Sequence, residues 1–172
     1  GIINHFDVDQ LQSVWRVPIG SGYSGPTVAD ERVYVMDRKT KPKQVEVIHC
    51  FSARTGQHIW SYSYDCQYQN VGYTAGPRAS VVIVNGLAYA LGTMGHLHCL
   101  VAKTGQVKWQ KDLNQLYQIR MPTWGIAASP LVEGNRIFLQ VGGEKACLVA
   151  LDQQTGEELW TARSDSASYT TP

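Results

Sequence analysis

The sequence has no excess charge of either sign: 15 Lys and Arg stand against 14 Asp and Glu, a formal +1. Without a basic field to gather phosphates, nucleic acid is not an expected partner, and there is no acidic tail. No apolar run reaches the ~18 residues that a membrane-spanning helix requires. The opening GIINHFDVDQ lacks a basic region followed by an apolar one, so no signal peptide is read within this chain. Cysteine is scarce, at positions 50, 66, 99 and 147, with no C-x-x-C pair to suggest zinc or dithiol chemistry. Charged residues make up 17% against about 25% in ordinary globular chains. No nucleophile motif, phosphate-binding glycine loop or H-E-x-x-H is present. The carboxylates, such as Glu157 and Glu158 at a hairpin, show no acid–base pairing, and Gly142-Gly143 reads as a turn between strands.

Glycine, by contrast, is plentiful at 16 and recurs in register. Thr55-Gly56, Thr104-Gly105 and Thr155-Gly156 are each followed, four residues beyond the glycine, by Trp60, Trp109 and Trp160, at intervals of 49 and 51. A repeat of that length is the first feature to explain. The segments CFSARTGQHIW, CLVAKTGQVKW and ALDQQTGEELW place a small residue, Cys50, Cys99 or Ala150, ten positions before each tryptophan. An apolar β-rich run precedes every Thr-Gly and a short run follows it, so the pair marks a hairpin whose glycine supplies a positive φ. The tryptophan on the outgoing strand is large enough to fill a wedge between adjacent sheets, and the small residue opposite leaves it room.

Upstream of each copy lies a second pair of runs: GPTVADERVYVMD, ASVVIVNGLAYAL and SPLVEGNRIFLQV, aligned without gaps from Pro26, Ser80 and Pro130. Their centres ADER, VNGL and EGNR read as reversals, Asn85-Gly86 most strongly. Four strands in about 50 residues is the size of one blade of a β-propeller. The expected fold is therefore all-β, a propeller segment of four-stranded antiparallel blades at about 24–64, 78–112 and 128–163. Stubs of two more flank them. Residues 1–20 would carry the outer strand of a preceding blade, SVWRV, with Trp15 in the tryptophan place and Gln10 and Leu11 replacing Thr-Gly. Residues 167–172 would begin a following blade, since YTTP matches the YSGP ending at Pro26. A closed ring needs more than three blades, so the expected partners are remaining blades of the same protein or another chain completing the ring.

The third copy matches A-x-D-x-x-T-G-x-x-x-W throughout, at Ala150, Asp152, Thr155, Gly156 and Trp160. In this motif the chain resembles the pyrroloquinoline-quinone (PQQ)-like repeat family, whose docking tryptophans brace the ring. The other copies depart at Cys50, Ser52, Cys99 and Val101, where the resemblance rests on T-G-x-x-x-W and spacing. The resemblance implies a bacterial exported protein, periplasmic or extracellular, of one of two kinds. One is a non-catalytic binding or scaffold propeller of the BamB type. The alternative is part of a quinoprotein alcohol or sugar dehydrogenase holding PQQ and calcium. Its adjacent cysteine pair has no counterpart here, so any active site would lie in other blades. No cofactor is evident from the residues themselves, and no catalytic residue is assigned.

In such a blade the second-to-third loops and the blade-to-blade connections share one face. Two adjacent connections, DCQYQNVGYTAGPR and LNQLYQIRMPTWGIA, carry roughly nine residues more than the others and hold Tyr68, Tyr73, Arg78, Tyr117, Arg120 and Trp124. Arg78, just ahead of an inner strand, is placed to point into the central channel. Two arginines among aromatic rings suit a planar anion, because a guanidinium forks onto carboxylates and stacks on rings. Alternatively these loops only cap the blade ends, with the rings packed beneath them. DRKTKPKQ, 37–44, reads as a solvated basic loop. His96 and His98 share a strand face without a third metal ligand, and His49 repeats the His98 position, so a structural role is expected and no metal site is assigned.

Overall fold

The computed structural model describes residues 12–172; Gln10 and Leu11 lie outside the described residues. Three four-stranded antiparallel sheets follow one another along the chain, each in sequential strand order. Blade 1 comprises β1 (Thr27–Ala29), β2 (Arg32–Lys39), β3 (Val45–Ser52) and β4 (His58–Asp65). Blade 2 comprises β5 (Val82–Val84), β6 (Leu87–Leu91), β7 (His96–Val101) and β8 (Val107–Asp112). A short helix, α1 (Leu113–Tyr117), then leads to blade 3, made of β9 (Leu131–Glu133), β10 (Arg136–Gly143), β11 (Ala146–Asp152) and β12 (Glu158–Ala162). The helix stands where only a loop was expected; Asp112 caps it by accepting a bond from the Gln115 amide at 3.0 Å.

Strand composition follows position in the stack. β6, in the middle blade, is buried at every residue: Leu87, Tyr89 and Leu91 pack toward blade 3, while Ala88 and Ala90 pack toward blade 1. A strand covered on both faces reads as a continuous apolar run. The outer strand β4 is instead exposed at alternate positions along most of its length. Core between blades 1 and 2 is built from Tyr34, Met36, Ile48, Trp60 and Leu100; between blades 2 and 3 it is built from Leu97, Leu113, Ile137, Val141 and Val149.

The turn centres fall where the sequence placed them. Asp30-Glu31 and Asn85-Gly86 reverse with positive φ at both residues, and Gly134-Asn135 does so with the glycine alone positive. The gapless alignment of the three copies is corrected by one residue in the middle blade. Thr27 pairs with Tyr34, Val82 with Tyr89 and Leu131 with Phe138, so Val81, not Ser80, is the equivalent of Pro26 and Pro130. Pairing is set by the two-residue turns, which the ungapped comparison passed over.

Tryptophan docking proves to be a contact between blades. Each indole pairs across its own sheet with the small residue, as Cys50↔Trp60, Cys99↔Trp109 and Ala150↔Trp160, and a one-residue bulge precedes it every time. Its ring then lies over the Thr-Gly glycine of the next blade: Trp15 on Gly56, Trp60 on Gly105 and Trp109 on Gly156. There its N–H donates to a carbonyl of the same turn, at Ala53 (2.9 Å), Ala102 (3.0 Å) and Gln153 (3.3 Å). Tyr34 and Tyr89 hydroxyls bond the Ala102 and Gln153 carbonyls as well, both at 3.2 Å. Glycine is thus needed twice over: φ is +70 to +74° at these three positions, and a Cβ would lie within 2.6–2.8 Å of the indole. The threonine hydroxyl accepts from the amide two residues on, and Asp152 adds bonds from the Gln154 and Thr155 amides that Val101 cannot supply.

Trp15 occupies this place although no strand forms at 13–17, which has no ladder partner among the described residues. Among the described residues Trp160 docks on no turn, and it is 40% exposed, against 8% for Trp60. The difference is about a third of an indole side chain's ~250 Å², worth about 2 kcal/mol of burial.

Candidate functional site

Both turns of each blade lie on one face, tied by Ala53 N–H to Glu31 O, Ala102 N–H to Gly86 O and Gln153 N–H to Asn135 O. On the opposite face the segments leading into successive inner strands converge. Tyr23 precedes β1, Arg78 precedes β5, Ala127 precedes β9, and Tyr169 stands as far ahead of Pro172 as Tyr23 does of Pro26. With Tyr73 and Trp124 they line one pocket of about 260 Å³. The two long connections meet here, Gly72 N–H donating to Thr123 O at 2.5 Å, and Ile126 N–H of the second donates to Thr93 O in the β6–β7 loop at 2.9 Å. Tyr73 sits edge-on to Trp124 at 6.2 Å, and Trp124 lies 4.8 Å from Tyr169. Tyr73 is 68% and Trp124 46% exposed, an unusual display of aromatic surface.

Arg78 organises the pocket wall. Its guanidinium donates to the carbonyls of Gly76 (2.7 Å), Gly72 (2.7 Å) and Tyr73 (2.5 Å) and to Thr93 Oγ1 (3.2 Å). With four bonds to its own loop and neighbour, the fork is engaged in holding the 72–76 segment and is not presented to an anion. Beneath it runs a network that sequence reading missed. Glu46, fully buried, accepts from the hydroxyls of Tyr64 (2.5 Å) and Tyr68 and from the Thr93 amide (3.2 Å). Burial, reinforced by the Glu46 carboxylate, raises both phenols well above their ordinary range. Arg38 lies 3.9 Å over the Tyr68 ring and donates to Thr74 O and Gln44 Oε1. Arg38 is therefore not part of a solvated basic loop; β2 extends through Lys39, which carries it inside, and of the four basic residues only Lys39, Lys41 and Lys43 face water. The signal for this network was a lone glutamate in an otherwise apolar strand, VEVIHCF, which must find partners when buried.

Of the six residues singled out in the connections, the structure brings together Tyr73, Arg78 and Trp124. Tyr68 lies beneath them in the Glu46 network. Tyr117 is at the far end of α1, donating to Glu158 at 2.8 Å, and Arg120 is exposed and outside the pocket lining, so the two arginines do not form a pair. Gly142 and Gly143 close β10 rather than forming a loop, and their missing side chains admit Ala167 and Tyr117. His49 is bonded to buried Asp37 at 2.9 Å, whereas His98 stacks on Tyr64 at 4.2 Å, so the two equivalent histidines differ in partner. No group of three metal-ligating side chains occurs among the described residues. The four cysteines are free and buried.

Solved structures of this shape include a europium-containing methanol dehydrogenase at 20% identity, TM-score 0.61, covering 83% of this chain and 25% of that one. Quinohemoprotein alcohol dehydrogenase from Comamonas testosteroni shares 26% identity with TM-score 0.60, covering 82% of this chain and 21% of its own. BamB from Moraxella catarrhalis shares 20% identity with TM-score 0.54, over 82% of this chain and 36% of its own. The chain thus spans well under half the length of each. No curated protein matches it by sequence. A family model described as "Outer membrane protein assembly factor BamB" matches residues 44–171, most of the described length, and the chain belongs to that PQQ-like repeat family.

Proposed function

We propose that this chain is a non-catalytic binding or scaffold part of a larger exported propeller, which contacts its partner through the ring-lined pocket at the convergence of the inner-strand lead-ins. The observation that carries this reading is the coexistence there of exposed Tyr73 and Trp124 with an Arg78 whose guanidinium is already engaged by three main-chain carbonyls. Rigid, partly exposed rings on a braced loop are what an interface anchor requires. Further blades complete the ring and cover Trp160. No described helix is long and apolar enough to cross a membrane. A place in the periplasm or outside the cell follows from the family's description as an outer membrane assembly factor.

The second reading, part of a quinoprotein dehydrogenase, is favoured by the 26% identity to the Comamonas testosteroni alcohol dehydrogenase. The residues here do not fit PQQ with calcium. The pocket lining contains no carboxylate or amide side chain, and Glu46 beneath it is fully engaged by two phenols and an amide. Hard cations need several oxygen ligands. The test is titration of the full-length propeller protein with PQQ and calcium, read by quinone absorbance and dye-linked alcohol oxidation. No saturable absorbance change and no turnover are expected; turnover would overturn the scaffold reading.

A further inference from the structure

A second cavity, of about 490 Å³, lies between blades 1 and 2 on the outer side, away from the pocket at the lead-ins. Its walls are Tyr62 and Tyr64 of β4, His96 and His98 of β7, and Gln110 and Asp112 of β8. Blades diverge from the axis, so their outer strands leave a wedge. Trp60 fills it at one end, and this groove is what remains at the other. The matching place between blades 2 and 3 is filled. There Leu113 stands in the Tyr64 position and Val149 in the His98 position, both fully buried in apolar core. The first wedge has polar side chains where the second has hydrocarbon.

His98 is 3% exposed, and its Nδ1 has no hydrogen-bond partner. That nitrogen is sealed as well as unpartnered, a cost to stability, so a ligand in the groove would meet the ring's other nitrogen, Nε2. The groove offers both donors and acceptors around it. Tyr62 hydroxyl donates to Gln110 Oε1 at 3.1 Å across the mouth, leaving the Gln110 amide nitrogen as a donor. Asp112 lies 4.0 Å from His96 Nε2. Asp65 at the rim is paired with Lys43 at 2.7 Å, and Lys111 lines the groove along with Asp112, so two lysines stand against two carboxylates. Tyr62 and Tyr64, with the His98 ring 5.2 and 4.2 Å away, form an aromatic wall.

We propose that this groove binds a neutral saccharide unit, with C–H faces against the tyrosine rings and hydroxyls bonded to Gln110, Asp112 and His98. Balanced charge disfavours an ionic ligand, mixed donors and acceptors suit a polyol, and the volume lies within the ~300–1,000 Å³ usual for small-molecule sites.

The test is isothermal titration of the whole chain with maltotetraose, cellotetraose and chitotetraose, alongside nitrogen-15 NMR of the histidine rings. At least one saccharide should bind and move the His98 ring signals. Gln110→Leu, a surface change, and His98→Phe, which keeps the ring, should each weaken it at least tenfold. Trp124→Ala, in the other pocket, should leave it unchanged. Absence of binding by all three sugars overturns the proposal, as does affinity indifferent to Gln110→Leu or a saccharide response abolished by Trp124→Ala. Binding of a Gly-Ser-Thr peptide, but of no sugar, with the same variant dependence would overturn it in favour of a peptide groove.

Discussion

Replacing Gly105 by alanine tests the docking geometry on which the stacking of blades depends. Two costs are superposed at this position. With φ at +74°, an L-side chain enters the left-handed region at roughly 1–2 kcal/mol. In addition the new methyl would lie 2.6 Å from Cδ2 and Cε3 of Trp60, which must shift or lose its bond to Ala102 O, an overpacking cost of about 1–3 kcal/mol. Gly86 provides the control, because its φ is also +74° while a Cβ there meets nothing within 4 Å. Gly105→Ala should therefore destabilise by about 2–5 kcal/mol and Gly86→Ala by about 1–2 kcal/mol, the difference measuring the indole contact alone. Urea titration followed by far-ultraviolet circular dichroism gives both values, and repetition in a Trp60→Leu background completes a double-mutant cycle. In that background the excess should vanish. Equal penalties for the two glycines, or an excess that persists without the indole, would refute the contact.

Two further expectations follow from single sites. Burial, with a smaller contribution from His96, pushes His98 down to about 4 from its ordinary 6.5, so the unfolded chain binds the extra proton first as pH falls. Stability should then be full above pH ~6.5 and decline by on the order of 3 kcal/mol toward pH ~4, a slope that His98→Phe flattens; denaturant midpoints across this range provide the check. Arg78→Ala orphans the carbonyls of Gly72, Tyr73 and Gly76 and should cost about 1.5–3 kcal/mol while speeding chymotryptic cleavage after Tyr73, whereas exposed Arg120→Ala should stay within about 0.5 kcal/mol.

The architecture was legible because its signals are local and repeated. A Thr-Gly turn, a small residue and a tryptophan at fixed spacing announce one hairpin each, and three copies announce a stack. Misalignment of the middle copy arose at the inner strand Val82–Val84, whose continuous apolar run slides by one against its neighbours unless the Asn85-Gly86 turn is used to set the register. The candidate pocket was half legible. Tyr73, Arg78 and Trp124 come from connections whose length marked them out, but Tyr117 and Arg120 depart because α1 consumes the start of the second connection and turns them elsewhere. Glu46 and Thr93 escaped notice, and Arg38 was read as part of a solvated loop, because what makes them matter is burial, and a glutamate inside a strand looks like any other until its neighbours are known.

By itself the sequence determined the all-β class, the four strands of each of the three blades, the turn centres and the identity of the wedge residues, since each depends on backbone preferences and side-chain periodicity within some ten positions. Only the tertiary structure decided what each wedge touches: that an indole lies on the following blade's glycine, that Arg78 serves its own loop, and that one inter-blade gap is apolar while the next is polar. Apart from the Arg78 loop, those facts are contacts between residues some forty to seventy positions apart, and their energies come from burial and hydrogen-bond partners that exist only once the blades are side by side.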